Sequence, residues 1–335
     1  MTLPLRYLPW TARAARRAMR STLAAAALAA ALTAAAADDY PNQPIRLIVP
    51  AAAGTGLDLD ARPIAQKIAE LLRQPVLIEN RPGAGGIVAL EATARAAPDG
   101  YTLVWAGMQF AALPHLHRQL PYDSDRDFVP ITQLQRLPMV LTVHPSVGAN
   151  SVAELIAMAK ARPGAITFAS QGHGSTVHLA GELFMAVTGT DLKHVPYGTQ
   201  SPFIDLAGGH VMVMFSGIAP VIGNVNAGKL KALAVSSRER VGVIRDVPTF
   251  IEAGVPAYDA WAWNGLFAPR GTPVAIVAQL NAVAAKAVHS PEVKERMLRF
   301  GGEPVGSRPE EFDAFIRVER AKWGKLIHDA KLQLD

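Results

Sequence analysis

Ile45-Arg46-Leu47-Ile48-Val49-Pro50, then Ala51-Ala52-Ala53-Gly54-Thr55-Gly56, then an amphipathic run from Leu57–Asp58 reads as an apolar strand, a glycine-rich bend and a helix. The same device returns farther along. Ile166–Ser170 is an apolar strand, Gln171-Gly172-His173-Gly174 a bend, and Ser175–Thr176 the start of the next helix. A bend of this kind presents backbone N–H groups at the positive end of a helix, where an anion is favoured. Two such cradles in separate halves of one chain, with no catalytic apparatus evident between them, point to capture of an anionic solute.

Strands and helices alternate outward from these two stretches. Leu57–Arg73 places Leu57, Ala61, Ile64, Ala65, Ile68, Leu71 and Leu72 on one helical face. Val76–Glu79 follows as a strand, Asn80–Gly86 as a turn, Ile87–Ala96 as a helix and Tyr101–Ala106 as a strand. After the polar, proline-punctuated stretch 120–130 the rhythm restarts. Val140–His144 reads as a strand, and Ser151–Ala161 as a helix with a Ser151/Glu154 capping box. Later helices are expected over Val274–Val288, Pro291–Phe300 and from Pro309 to Leu332. This alternation predicts an α/β fold with largely parallel sheets. Extended segments at Ile131–Met139 and Trp261–Phe267 join one rhythm to the next and are candidate hinge strands in a bilobed molecule with a cleft.

The first residues set the expected compartment. Arg6, Arg13, Arg16, Arg17 and Arg20 precede an apolar run from Leu23 to Ala37, with Ala35-Ala36-Ala37 as a small-residue cleavage site. That is the pattern of a cleavable signal peptide over residues 1–37, directed to the periplasm by the Sec route in preference to the twin-arginine one. The run is too short and alanine-rich for a spanning helix. Of the 33 Lys+Arg, five lie in this leader, which leaves 28 against 28 Asp+Glu. The balance does not support a basic nucleic-acid footprint. Cysteine is absent from the sequence, which excludes a lipoprotein anchor and disulfides.

From Tyr40 onward the chain resembles the Bug (TctC-like) extracytoplasmic solute receptors of tripartite tricarboxylate transporters. The resemblance is carried by an ordered series. It begins with Pro44–Pro50, Glu79-Asn80-Arg81-Pro82-Gly83-Ala84-Gly85-Gly86 and Ala97-Pro98-Asp99-Gly100-Tyr101-Thr102-Leu103. It continues with His178-Leu179-Ala180-Gly181-Glu182-Leu183-Phe184, His194-Val195-Pro196-Tyr197, Ala227–Val235, Asp246-Val247-Pro248-Thr249, Glu303–Gly306 and Pro309-Glu310-Glu311-Phe312. The resemblance implies a type II periplasmic-binding-protein fold, two lobes with a ligand cleft and two hinge crossings. It also implies a discontinuous first lobe (38–138 and 264–335) with the second lobe (139–263) inserted. The implied activity is non-catalytic binding of a small carboxylate by a monomer that delivers it to the permease subunits of a tripartite transporter. A receptor feeding a sensor kinase is the alternative, and a secreted α/β hydrolase a more distant one. No cofactor and no metal are expected.

The resemblance assigns Ala52, Ala53, Gly54, Thr55, Gly56 and Asp58 to the ligand from one side, and Ser170, Gly174, Ser175 and Thr176 from the other. Gln109, Tyr197 and Ser216 complete the expected set. Several positions depart from the family pattern. Thr55 interrupts consecutive glycines, Tyr197-Gly198-Thr199 lacks the usual lysine, and Met212 and Ser216 stand at common acidic positions. Together with Trp105 and Met108-Gln109-Phe110, these changes favour a bulkier, more apolar carboxylate, aromatic ones included, over an amino acid.

The residues also admit plainer readings. Asp58 serves either the ligand or its own helix's first turn. Ser175 and Thr176 are N-cap candidates. His178 reads as a packed or hydrogen-bonded histidine, and His173 as facing solvent. Gly83–Gly86 reads as a structural turn and His115-x-His117 as a polar loop without companions at metal-ligand spacing. Of Trp261 and Trp263, one reads as core and the other as core or as lining the cleft near the hinge, with core favoured for either. Gly172-His173-Gly174-Ser175-Thr176 is not the Gly-x-Ser-x-Gly elbow of a hydrolase, and Leu59 stands where a dinucleotide fingerprint needs its third glycine.

Overall fold

The computed structural model describes residues 40–198, 200–329 and 331–332, so the leader expected over 1–37 lies outside the described residues. Residues from Gln43 onward form one body. Its first part alternates β1 (Ile45–Val49), α1 (Gly56–Leu72), β2 (Val76–Asn80), α2 (Ile87–Ala94), β3 (Thr102–Gly107) and α3 (Met108–Leu116). Strand β4 (Phe128–Val143) then leads to α4 (Val152–Ala161), β5 (Thr167–Ser170), α5 (Thr176–Thr188) and β6 (Lys193–Pro196). Helix α6 (Phe203–Gly208), β7 (Val213–Gly217), α7 (Ile222–Asn226) and β8 (Lys231–Val235) complete this part. The chain returns through β9 (Trp261–Pro269) and closes with α8 (Val274–Val288), α9 (Pro291–Arg299), β10 (Glu303–Pro304) and α10 (Pro309–Asp329).

The strand order is β2-β1-β3-β9-β4-β7-β5-β6, with β8 and β10 also paired to β4. β1 is parallel to β2 and β3, and β5 is parallel to β6 and β7. Strands in such parallel arrays are covered on both faces, which is why β1 and β3 read as continuous apolar runs. Ile45, Leu47, Ile48 and Val49 are all buried. Helix α1 buries Ala61, Ile64, Ala65 and Ile68 along one face as the periodicity predicts, but leaves Leu71 exposed.

Strand β4 has two different sets of partners. From Phe128 to Pro138 it pairs antiparallel with β9. From Met139 to Val143 it pairs with β7 and β8. The change falls between Pro138, opposite Trp261, and Met139, opposite Gly217. The Met139 N–H is then taken by Ser236 Oγ at 2.8 Å. The extended segment expected at Ile131–Met139 and the strand expected at Val140–His144 are thus one continuous strand. All of β9 pairs within the first sheet, so the return crossing precedes Trp261.

Three local expectations are corrected. The residues after β3, read as a strand end and a polar loop, form helix α3, with His115 in its last turn. The Ser151 cap does accept the Glu154 N–H at 3.1 Å, but Glu154 Oε2 reaches back to the Asn150 N–H, one residue before the cap. Only one of the two β9 tryptophans is core: Trp263 is buried, whereas Trp261 is partly exposed beneath the Arg136 guanidinium.

A buried carboxylate fastens α10 to β9. Glu319 Oε2 accepts the indole N–H of Trp263 at 2.8 Å and of Trp323 at 2.9 Å. Both indoles are fully buried, so removing the acceptor strands two donors away from water. Glu319→Ala is expected to destabilise the fold by about 3 kcal/mol and to lower the midpoint of thermal unfolding by roughly 6–12 °C. A melting curve that shifts by less than about 2 °C would refute this role.

Candidate functional site

The first bend is organised by an internal anion. Thr55 is the N-cap of α1 by backbone conformation, but its hydroxyl donates to Ala52 O at 2.7 Å instead of capping the helix. Asp58, in the first turn and 1% exposed, organises the bend instead. Its Oδ2 accepts the Gly54 N–H at 2.8 Å and Arg62 Nε at 2.9 Å. Its Oδ1 accepts Arg62 Nη2 at 2.8 Å and Asn80 Nδ2 at 3.0 Å, and the same Asn80 amide donates to Ala51 O. Burial alone would raise the Asp58 carboxyl, but the hydrogen bonds from Arg62, Gly54 and Asn80 hold it below the ordinary carboxylate range. Asp58 shapes the loop and does not line the cavity described next.

The second bend is also held by its own side chains. Ser175 Oγ accepts the His178 N–H and donates to Gly172 O at 2.7 Å, so Ser175 is the N-cap of α5. Ser170 is fully buried; its Oγ accepts the Gly172 N–H at 3.0 Å and lies 2.6 Å from His194 Nε2. The Gly174 N–H donates to His178 Nδ1 at 3.1 Å, and His178 Nε2 lies 3.2 Å from Glu182 Oε1. His178 is buried and His173 exposed. Burial, reinforced by His178 and His173, pushes His194 down to about 3.

The two bends meet at one small cavity of about 20 Å³, room for about one water molecule. Pro50, Ala51, Ala52 and Leu57 form one wall, and Gln171, Ser175, Thr176, Gly198 and Gln200 the opposite one. Gln109, 2% exposed at the start of α3, accepts the Thr176 hydroxyl at 3.4 Å and so bridges the walls. The third wall is the turn Pro82-Gly83-Ala84-Gly85-Gly86. Gly85 has φ +63°, and a Cβ there would collide with the His173 carbonyl oxygen. No charged side chain lines this cavity among the described residues. A neighbouring cavity of about 40 Å³ lies beyond the first turn of α1 and is lined by Gly56, Asp60, Gln135 and Pro220 among others. There Gln135 Nε2 is buried without a hydrogen-bond partner among the described residues. Asp60 is pushed up to about 7 by burial, against the opposing pull of Arg296 and Asn264.

Of the residues expected at a site, Ala52, Gln109, Ser175 and Thr176 surround the first cavity and Gly56 the second. Thr55, Asp58, Ser170 and Gly174 are buried outside both linings, and Ala53 and Gly54 are exposed on the first bend. Tyr197 donates its hydroxyl to Asp205 Oδ2, and Ser216 Oγ donates to Gly217 O; neither lines either of these two cavities. Trp105, Met108 and Phe110 are buried, the last two in the first sheet's core cluster, and none of them lines this cavity, contrary to expectation. The Gly83–Gly86 turn, read as structural only, is a cavity wall. Its position was available in principle, because β2 is parallel to β1 and the loops leaving parallel neighbours share one end of the sheet.

Comparison with known proteins agrees with this geometry. The family model described as tripartite tricarboxylate transporter family receptor, TctC, matches residues 61–332. Protein BugT of Bordetella pertussis is 36% identical over 301 residues, covering 89% of this chain and 92% of BugT. Among solved structures, R. palustris Rpa4515 with adipate is 34% identical with a TM-score of 0.83, covering 88% of this chain and 99% of that one. MatC (Rpa3494) from Rhodopseudomonas palustris with bound malate is 32% identical with a TM-score of 0.80, covering 86% and 100%. A shared strand, two facing glycine bends and a family match over most of the length lead to one assignment: the chain belongs to the TctC receptor family and has its type II periplasmic-binding-protein fold.

Proposed function

We propose that this protein is a periplasmic receptor that closes its two lobes on a small carboxylate and presents it to the permease subunits of a tripartite transporter, without chemical change. The observation that carries the reading is the cavity between the two bends, walled by backbone and neutral amide or hydroxyl groups from both sheets. The solved relatives with adipate and malate support the ligand class. A carboxylate accepting about four such hydrogen bonds, at roughly 1.5–3 kcal/mol each, reaches the ~8 kcal/mol of micromolar binding before the cost of closure. Hydrolysis is disfavoured by the state of the serines. Ser175 Oγ is committed to backbone groups, and Ser170, though beside His194, is fully buried.

The cavity also narrows the ligand. With no acidic side chain in its lining, it offers no counter-charge for an ammonium group. With Trp105, Met108 and Phe110 in the core, it offers no ring to stack on. The preferred ligand is therefore an aliphatic mono- or dicarboxylate without an amino group. The moving parts are the segments on either side of the Pro138–Met139 step, which swing as two lobes about β4 and the return crossing before Trp261.

Three measurements test this. In a thermal-shift panel, adipate, malate and related aliphatic acids are expected to raise the unfolding midpoint, and glutamate, aspartate and benzoate much less. Stabilisation by the amino acids alone would overturn the ligand assignment. Gly85→Ala places a methyl group against the His173 carbonyl and blocks closure, so affinity should fall at least tenfold with an unchanged circular dichroism spectrum; wild-type affinity would sink the closure geometry. Asp58→Asn should cost about 2 kcal/mol at pH 7. Because folding lowers the Asp58 pKa, its contribution is full above the ordinary value near 4 and fades as pH falls through the lowered one. The melting gap between wild type and Asp58→Asn should shrink below about pH 4; a gap independent of pH would contradict the role given to this carboxylate.

A further inference from the structure

Three histidines from a bend, a helix and a strand converge behind the second cradle. His173 lies in the bend, His178 on the first turns of α5, and His194 on β6. One ring nitrogen from each lies within 4.8 Å of the others. The ring centroids are 4.2 Å apart for His178–His194, 4.7 Å for His173–His194 and 5.3 Å for His173–His178. We propose that these three imidazoles form a binding site for a late first-row divalent cation, with zinc and nickel as its natural probes.

The hydrogen bonds around the rings support this use. His178 holds its Nε2 toward the Glu182 carboxylate, and His194 holds its Nε2 toward Ser170 Oγ. A carboxylate or hydroxyl on one nitrogen fixes ring orientation and leaves the other nitrogen to a metal, the outer-shell pattern of histidine sites. The other nitrogen of His194, Nδ1, is buried without a hydrogen-bond partner among the described residues. The other nitrogen of His178 accepts only the Gly174 N–H. Burying an imidazole nitrogen with nothing bound to it is unfavourable, and a cation supplies the missing partner.

Tetrahedral coordination at metal–nitrogen distances near 2.0–2.1 Å needs donor atoms about 3.4 Å apart. The widest nitrogen separation must therefore contract by about 1.4 Å, and His173, exposed on a loop, is the ring best placed to move. Three nitrogen donors suit zinc, nickel and copper and do not suit magnesium or calcium, which require oxygen. Because Gly174 sits in the bend beside the carboxylate cavity, a metal on His178 Nδ1 would release its N–H and change the wall of that cavity.

The test uses untagged full-length protein stripped with a chelator and titrated with zinc chloride by calorimetry. One zinc per chain at micromolar affinity is expected, with an unfolding midpoint raised by roughly 4–8 °C at a hundredfold excess over Kd. Magnesium should give no shift. His173→Ala, on an exposed side chain, should weaken zinc binding at least tenfold while the metal-free melting curve stays at the wild-type position. His194→Gln should do the same for binding, and it serves as the second variant. Absence of zinc and nickel binding, an equal response to magnesium, or undiminished zinc affinity in His173→Ala would each overturn the site.

Discussion

Strand β4 is the constraint on which the rest of the molecule depends. Its first eleven residues are zipped to β9 in one sheet and its last five to β7 and β8 in the other, with no break in the chain between them. A strand shared in this way ties two parallel arrays together edge to edge, so that the loops leaving β1 and β2 face the loop leaving β5. One continuous strand and one returning segment are the chain connections between the two sheets. The cavity between the bends is a consequence of that geometry.

Inside this frame both bends are pre-shaped by their own side chains, of which Ser175 alone also lines the cavity. Asp58 uses the field at the start of α1 for its own carboxylate, binding Gly54, Arg62 and Asn80 at once. The anion-favouring end of the first helix is thus already neutralised from within, and Ala51, Ala52 and Leu57 form a largely uncharged wall. On the other side Ser170 and Ser175 fold the Gln171–Gly174 loop back on itself through Gly172. Both arrangements remove rotational freedom from backbone amides before a guest arrives, which lowers the entropic cost of binding. A site of neutral donors also has little electrostatic reason to reject a second carboxylate at the far end of a ligand.

Much of the fold was legible because the apolar runs are long and the turns well marked. β1, α1, α5, α8 and α9 fall close to where periodicity and glycine place them, and the two bends do face each other. What escaped was set by tertiary contacts. Helix α3 is apolar all round because its surroundings bury it, so Met108–Leu116 carries no helical stripe to read. The same burial took Trp105 and Phe110 out of contention as ligand contacts. Asp58 could not be assigned from sequence, since both of its roles demand an acid in the first turn. The loop contacts come from Arg62, Gly54 and Asn80, the last more than twenty residues away and so out of reach of local pattern.

The Gly83–Gly86 turn shows how two readings of the same residues can both hold. As a turn it needs positive φ at Gly83, Gly85 and Gly86, which is reason enough for glycine. Yet Gly85 also meets the His173 carbonyl so closely that no side chain fits between them. The contact joins a loop of the first sheet to the bend of the second, beside Gln109 and Thr176, which bridge the same two walls. Where these loops of the two sheets touch, backbone meets backbone, so their spacing does not depend on side-chain rotamers.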